Sequence, residues 1–241
     1  MKRTRNLFLI LITIFFVACS DKGDNYELTG KLENCNECSV YLMEMENSGV
    51  KALDTIKVSK DGKFSVKEKL AEESIFILQG SNDYIMLCPK KNEKIRITAD
   101  YENMAVTYTI EGSEESSKLK LLNDKQTMTR FALKNMNEQL QMQDINNIDS
   151  VRQEITKKYH LLRENQRQFL IDYINTYEGS LTTLVALYRN MENTPLIDPL
   201  RDEAIYEKVL KGLQKKLPNN KNTKYLEHLV SRINSTKYDK E

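Results

Sequence analysis

Tryptophan is absent from this 241-residue sequence, and histidine occurs only twice. A histidine-dependent triad or metal site needs converging partners. His160 and His228 stand 68 positions apart among charged neighbours, so neither is expected to be catalytic or metal-ligating. Glycine is scarce too, with eight residues that fall at turns and helix ends. Gly-rich phosphate loops, Gly-x-Ser-x-Gly and His-Glu-x-x-His do not occur. Without tryptophan the usual aromatic platform for sugars is missing. Most of the 12 tyrosines fall on expected core stripes, and the paired carboxylates Glu72/Glu73 and Glu114/Glu115 fall in expected loops. Glycoside hydrolysis, which needs two carboxyl groups flanking a cleft, is therefore not supported. Charge of one sign is also lacking: 36 Lys and Arg are interspersed with 35 Asp and Glu. That pattern reads as a solvated surface and excludes the clustered basic face of a nucleic-acid binder. No second long apolar run follows Val17, so no transmembrane helix is expected. No cofactor and no enzymatic activity are implied, thiol–disulfide exchange being the one class left open.

The first 19 residues supply the clearest positive signal. Lys2, Arg3 and Arg5 form a basic start, and Leu7 to Val17 is a run of 11 residues, apolar but for Thr13. This length suits a secretory signal and falls short of the ~20 residues that span a bilayer. Ala18 and Cys19 follow at once, and this junction resembles a bacterial lipoprotein signal. In that class residues 1–18 are removed and Cys19 is acylated. Lys2, Arg3 and Arg5 leave with the signal, which takes the net charge from +1 to near −2. Membrane attachment then rests on lipid at Cys19, more than one chain being needed for stable anchoring. Residues 19–24 read as a short polar tether.

Residues 25–113 read as β. Segments rich in β-branched and aromatic residues are Tyr26–Leu32, Val40–Glu46, Leu53–Val58, Phe64–Lys69, Ile75–Gln79, Tyr84–Cys88, Ile95–Ala99 and Val106–Glu111. Asp61-Gly62 between Val58 and Phe64 predicts a hairpin, and Gln79–Asp83 a second turn. Strands this close leave no room for crossover helices, so mainly antiparallel sheets are expected, as a sandwich or open barrel.

From residue 114 to 241 the period is helical. Leu119, Leu122, Leu133, Met136 and Leu140 define a long helix over about 116–143, its stripe interrupted by Gln126 and Thr129. After a polar break at Asp144–Ile148, Ser150-Val151-Arg152-Gln153 has capping-box form. It opens a second helix through Val151, Ile155, Tyr159, Leu162, Phe169 and Tyr173, to about Glu178. The two are expected to form an antiparallel hairpin. Its apolar stripes serve either as intramolecular core or as a face for another protein or a second copy. Ser180 is expected to cap a third helix, Asp198-Pro199 to start a fourth, and Tyr225 to Ile233 to lie on a last one. The fold class is α+β: an antiparallel β-sandwich-like module, then an all-helical module with a long hairpin.

Gly30-Lys31-Leu32, Val40-Tyr41-Leu42, Asp54–Val58, Asp61–Val66, Glu93–Ile97 and Glu111–Ser113 carry a resemblance to a domain of unknown function. That domain stands at the front of many Bacteroidota envelope lipoproteins. Ser180-Leu181, Leu184–Tyr188, Ile205–Leu210 and Lys224–Leu226 resemble the helical connector that follows it. In that family a thioredoxin-like thiol–disulfide oxidoreductase domain commonly comes next. No Trp-Cys-x-x-Cys occurs here, so the resemblance does not bring that redox activity to this chain.

Cys35-Asn36-Glu37-Cys38 is the one motif with chemical content. A bridge is expected outside the cytoplasm, stapling the first hairpin. Redox exchange with a separate thioredoxin-like protein is the alternative. It would need a helix N-terminus to lower a thiol pKa, and here strands flank the motif and Glu33 and Glu37 adjoin it. Zinc would need two further ligands. Cys88 reads as a buried small residue or an intermolecular thiol. The functional expectation is a lipid-anchored envelope protein, at the outer membrane, with a non-catalytic docking or scaffolding role. A redox accessory is the second reading. Capture of a small ligand by the β module, for nutrient uptake, is the third, and it predicts a concave apolar pocket.

Overall fold

The computed structural model describes residues 23–142 and 148–238. The signal segment and Cys19 lie outside the described residues. Eight strands form the N-terminal region: β1 (Asn25–Glu33), β2 (Ser39–Glu46), β3 (Gly49–Lys57), β4 (Lys63–Lys69), β5 (Phe76–Gln79), β6 (Tyr84–Leu87), β7 (Lys94–Asp100) and β8 (Thr109–Glu111). They make two four-stranded sheets, ordered β4-β1-β7-β8 and β3-β2-β5-β6. Alternation along β7 sends Ile95, Ile97 and Ala99 inward while Lys94, Arg96 and Thr98 face water. The inward faces of both sheets share one core that includes Tyr26, Leu28, Leu42, Phe76, Leu78 and Ile85. Tyr26 and Phe76 meet across it with ring centroids 5.6 Å apart.

The chain changes sheet at every corner but three, which corrects two expectations. Residues 34–38 do not close a hairpin, because β1 and β2 lie in different sheets. The Asp61-Gly62 turn likewise carries the chain from β3 in one sheet to β4 in the other. These two corners lie side by side: Leu32 N–H donates to Gly62 O at 2.8 Å, and Val58 N–H donates to Cys38 O at 3.0 Å. Gly62 has φ +78°, and a Cβ there would sit 2.3 Å from Leu32 O, so both conformation and space demand glycine. True hairpins join β2 to β3, β5 to β6 and β7 to β8. Pairing is mainly antiparallel, as expected, with one parallel pair. β1 and β7 run parallel at the centre of their sheet, and the other sheet supplies the crossover that a helix usually makes.

A four-residue helix, α1 (Met104–Thr107), replaces the start of the eighth expected strand. Asp83 causes it, its carboxylate accepting from Met104 N (3.1 Å) and Ala105 N (2.8 Å). The long hairpin follows as α2 (Glu114–Gln141) and α3 (Ile148–Thr176). Ser113 caps α2, its Oγ accepting from Ser116 N at 3.3 Å. Glu114 and Glu115 therefore open a helix instead of lying in a loop. Ser150 sits inside α3, so its capping-box pattern marks no helix start.

Then come α4 (Thr182–Leu187), β9 (Asn190–Met191), β10 (Thr194–Pro195), α5 (Glu203–Lys216) and α6 (Lys221–Tyr238). The β9–β10 hairpin makes the second module not wholly helical. Its turn residues Glu192 and Asn193 both have positive φ, at 48° and 62°, as a primed turn requires. The α5 helix starts at Glu203, past Asp198-Pro199, because the Asp198 carboxylate instead accepts from Leu200 N (2.9 Å) and Arg201 N (3.2 Å) in a local turn.

Candidate functional site

Strands β5 and β6, Tyr84 and Gln79 at their ends apart, are buried on both faces. Phe76, Leu78, Ile85 and Leu87 enter the sandwich core, while Ile77, Met86 and the flanking Ile75 and Cys88 join the core of the helices. The two modules thus share a wall, and polar contacts fasten its edge. Asn220 Nδ2 donates to Glu73 O at 2.6 Å, and Lys221 N–H donates to a Glu72 carboxylate oxygen at 3.0 Å. Glu72 therefore supplies the negative charge that the start of α6 favours. The Lys221 ammonium pairs with Glu44 of β2. Burial raises the Glu44 pKa, but hydrogen bonds from Lys221 and Ser74 and the Lys221 charge outweigh it, and the net shift is downward.

Between these fasteners lies a cleft of about 320 Å³. Met45 and Ile75 form its β side, Leu184, Val185 and Tyr188 its α4 side, and Tyr225 and Leu229 its α6 side. Large apolar groups are left open to solvent in it: Met45, Tyr188 and Tyr225 are 37%, 43% and 39% exposed. One polar donor is unused. Asn222 Nδ2, on the cleft wall, is shielded from solvent and has no acceptor among the described residues. An apolar hollow with a few placed polar groups is the usual form of a small-molecule site, and this volume stands at the lower end of the common range.

A buried polar chain ties the base of the hairpin to α4. Tyr173 O–H donates to Thr182 Oγ1 at 2.8 Å, Thr182 and Ser180 hydroxyls lie 2.7 Å apart, and Ser180 Oγ donates to Glu115. Each hydroxyl has one proton, so the order runs Tyr173 to Thr182 to Ser180 to the carboxylate. Lys118 Nζ lies 2.8 Å from Glu115 and Lys90 Nζ 3.4 Å. Burial pushes the Glu115 pKa up, and the hydrogen bonds from Lys118 and Ser180 with the charges of both lysines bring it below the ordinary value. No imidazole joins Ser180, for His160 and His228 are both exposed, on α3 and α6. The arrangement ends on the Glu115 carboxylate and orders the joint between the hairpin and α4.

Cys35 and Cys38 are bridged, with Cα atoms 5.6 Å apart. The bridge staples a crossing between sheets. Asn34 and Glu37 within that corner both have φ +55°. Its nearest charge pair is Glu37 with Lys60, 3.4 Å apart and both exposed. The two cysteines lie in the link between β1 and β2 and neither is on a helix, so the redox reading draws no support from this geometry. Cys88 is fully buried, its N–H donating to Ser116 Oγ at 3.0 Å. Burial raises its thiol pKa, and an intermolecular disulfide would require the wall between modules to open. None of the cysteines brings a residue to the cleft. The cleft itself draws on four separated stretches of sequence, which no local pattern marks.

Residues 26–119 match a family described as a domain of unknown function, DUF4369. No curated protein matches the chain.

Proposed function

We propose that this chain is a non-catalytic binding protein, held at a bacterial cell envelope by lipid on Cys19, whose junction cleft captures a small apolar ligand. The observation that carries the reading is the cleft itself. It gathers exposed Met45, Tyr188 and Tyr225 around one shielded, unused donor on Asn222. A ligand that is mostly hydrocarbon with a single acceptor would bury the first and satisfy the second. The lipoprotein-like junction at Ala18-Cys19 supports the envelope address. Nutrient capture is the role that this cleft supports.

Titration with the neutral fluorophore N-phenyl-1-naphthylamine tests the cleft. Saturable binding is expected, and Val185→Trp, which puts bulk into the cavity, should abolish it. Leu161→Trp, on exposed α3 surface, should leave it intact. Binding that survives Val185→Trp would refute the cleft assignment. Intact mass of the exported protein tests the address, with acyl mass on Cys19 expected and a bare N-terminus refuting it.

A further inference from the structure

Arg189 is a shielded cation with no ion-pair partner among the described residues. It stands between α4 and β9, where its carbonyl accepts from Leu196 N at 3.1 Å and extends the small hairpin. Its side chain reaches α2, where Nη1 donates to Gln126 Oε1. Nε and Nη2 are both closed off from solvent and have no acceptor among the described residues. The surrounding titratable groups are Tyr84, Tyr108, Tyr173 and a second cation, Arg130. The Arg130 Nη2 donates only weakly, to Thr127 Oγ1 at 3.4 Å.

This is an expensive arrangement to leave empty. A guanidinium does not neutralise itself by losing a proton, and a shielded charge is tolerated when it is paired. Desolvation does pull the Arg189 pKa down, but arginine starts too high for that to discharge it. The neutral Gln126 amide supplies one acceptor and no charge. The two idle donors are informative by their identity: Nε–H and Nη2–H share one edge of the guanidinium plane. That edge is the fork that matches two oxygens of a carboxylate or phosphate. Gln126, which breaks the apolar stripe of α2, holds the third nitrogen and so fixes the plane.

We propose that the Nε/Nη2 edge of Arg189, with Arg130 at its rim, is a receptor for a small oxyanion, a carboxylate or a phosphate group. Of the titratable groups around it, Arg130 and Tyr84 reach solvent, Tyr84 being 42% exposed. The site is independent of the apolar cleft, which uses none of these residues.

The test uses the full mature chain at constant ionic strength, titrated separately with inorganic phosphate and with acetate against chloride. The first readout is the Arg189 Nε–Hε resonance in wild-type protein, which needs no variant. A saturable shift is expected with at least one anion. Phosphate alone marks a phosphate-bearing ligand, acetate alone a carboxylate, and a response to both marks a general oxyanion site. The second readout is Tm, expected to rise by about 3–6 °C at anion tenfold above its Kd. Arg189→Lys keeps the charge and removes the fork, so it should lose the rise. Arg130→Gln should weaken binding several-fold. An Arg189 resonance that moves with neither anion, or a Tm rise unchanged in Arg189→Lys, would overturn the proposal.

Discussion

At its base the α2–α3 hairpin buries Leu119, Leu122, Leu170, Tyr173 and Ile174 to 3% exposure or less. Towards its tip Leu133, Met136, Leu140 and Val151 are only half-buried, and Met128, Phe131, Met142 and Leu161 are more than half exposed. Both ends carry apolar residues at helical spacing. The base meets β6, α4 and the shared wall, whereas the outer turns of α2 have only α3 against them. Apolar spacing therefore identifies a face but says nothing of how many layers will cover it. Polar residues follow the same division. Thr129 and Gln166, buried midway, hydrogen-bond each other at 2.9 Å and close the covered part of the seam.

Truncation on either side of that seam separates the two ends most sharply. Leu170→Ala should cost about 2–5 kcal/mol, the range for a filled core site. Met136→Ala, half-buried near the tip, should cost less than ~1 kcal/mol by denaturant unfolding. Equal losses would erase the distinction. Next in size is Glu115→Gln at the base, expected to cost about 2–3 kcal/mol by leaving Lys118 less well paired. Its pH dependence has a definite sign. The folded-state pKa is lowered, so the contribution is complete above the ordinary glutamate value of ~4.3 and is lost as pH falls through the lowered pKa. Thermal melts from pH 7 to pH 3 should give a shallower acid limb in Glu115→Gln than in wild type. A further effect belongs to the β module, far from the hairpin. Cys35→Ser should cost about 2 kcal/mol, the loop-closure value for so short a ring, and should leave N-phenyl-1-naphthylamine binding unchanged. Loss of binding in that variant would tie the corner to the cleft.

Strand positions were readable because alternation is a local property: β1, β2, β4 and β7 fall within a residue or two of their expected ends. Sheet membership was not. Asp61-Gly62 encodes a reversal, and nothing local distinguishes a reversal within a sheet from one between sheets. The start of α1 escaped for a related reason, its capping carboxylate being Asp83, more than twenty residues earlier in the chain. Glu192-Asn193 lacks the glycine that advertises a primed turn, which hid β9–β10. The candidate cleft was anticipated only as a class of feature, a concave apolar pocket. Its walls come from a β-hairpin, α4 and α6, and their meeting depends on the doubly covered β5–β6 pair.

That pair sets a limit on modularity. The family match runs over residues 26–119, yet a fragment cut there would strip the helices from Ile77, Met86 and Cys88 and leave a greasy two-stranded flank in water. Residues 26–119 of this chain are therefore expected not to stay soluble when cut free. The companion helices act as their second coat.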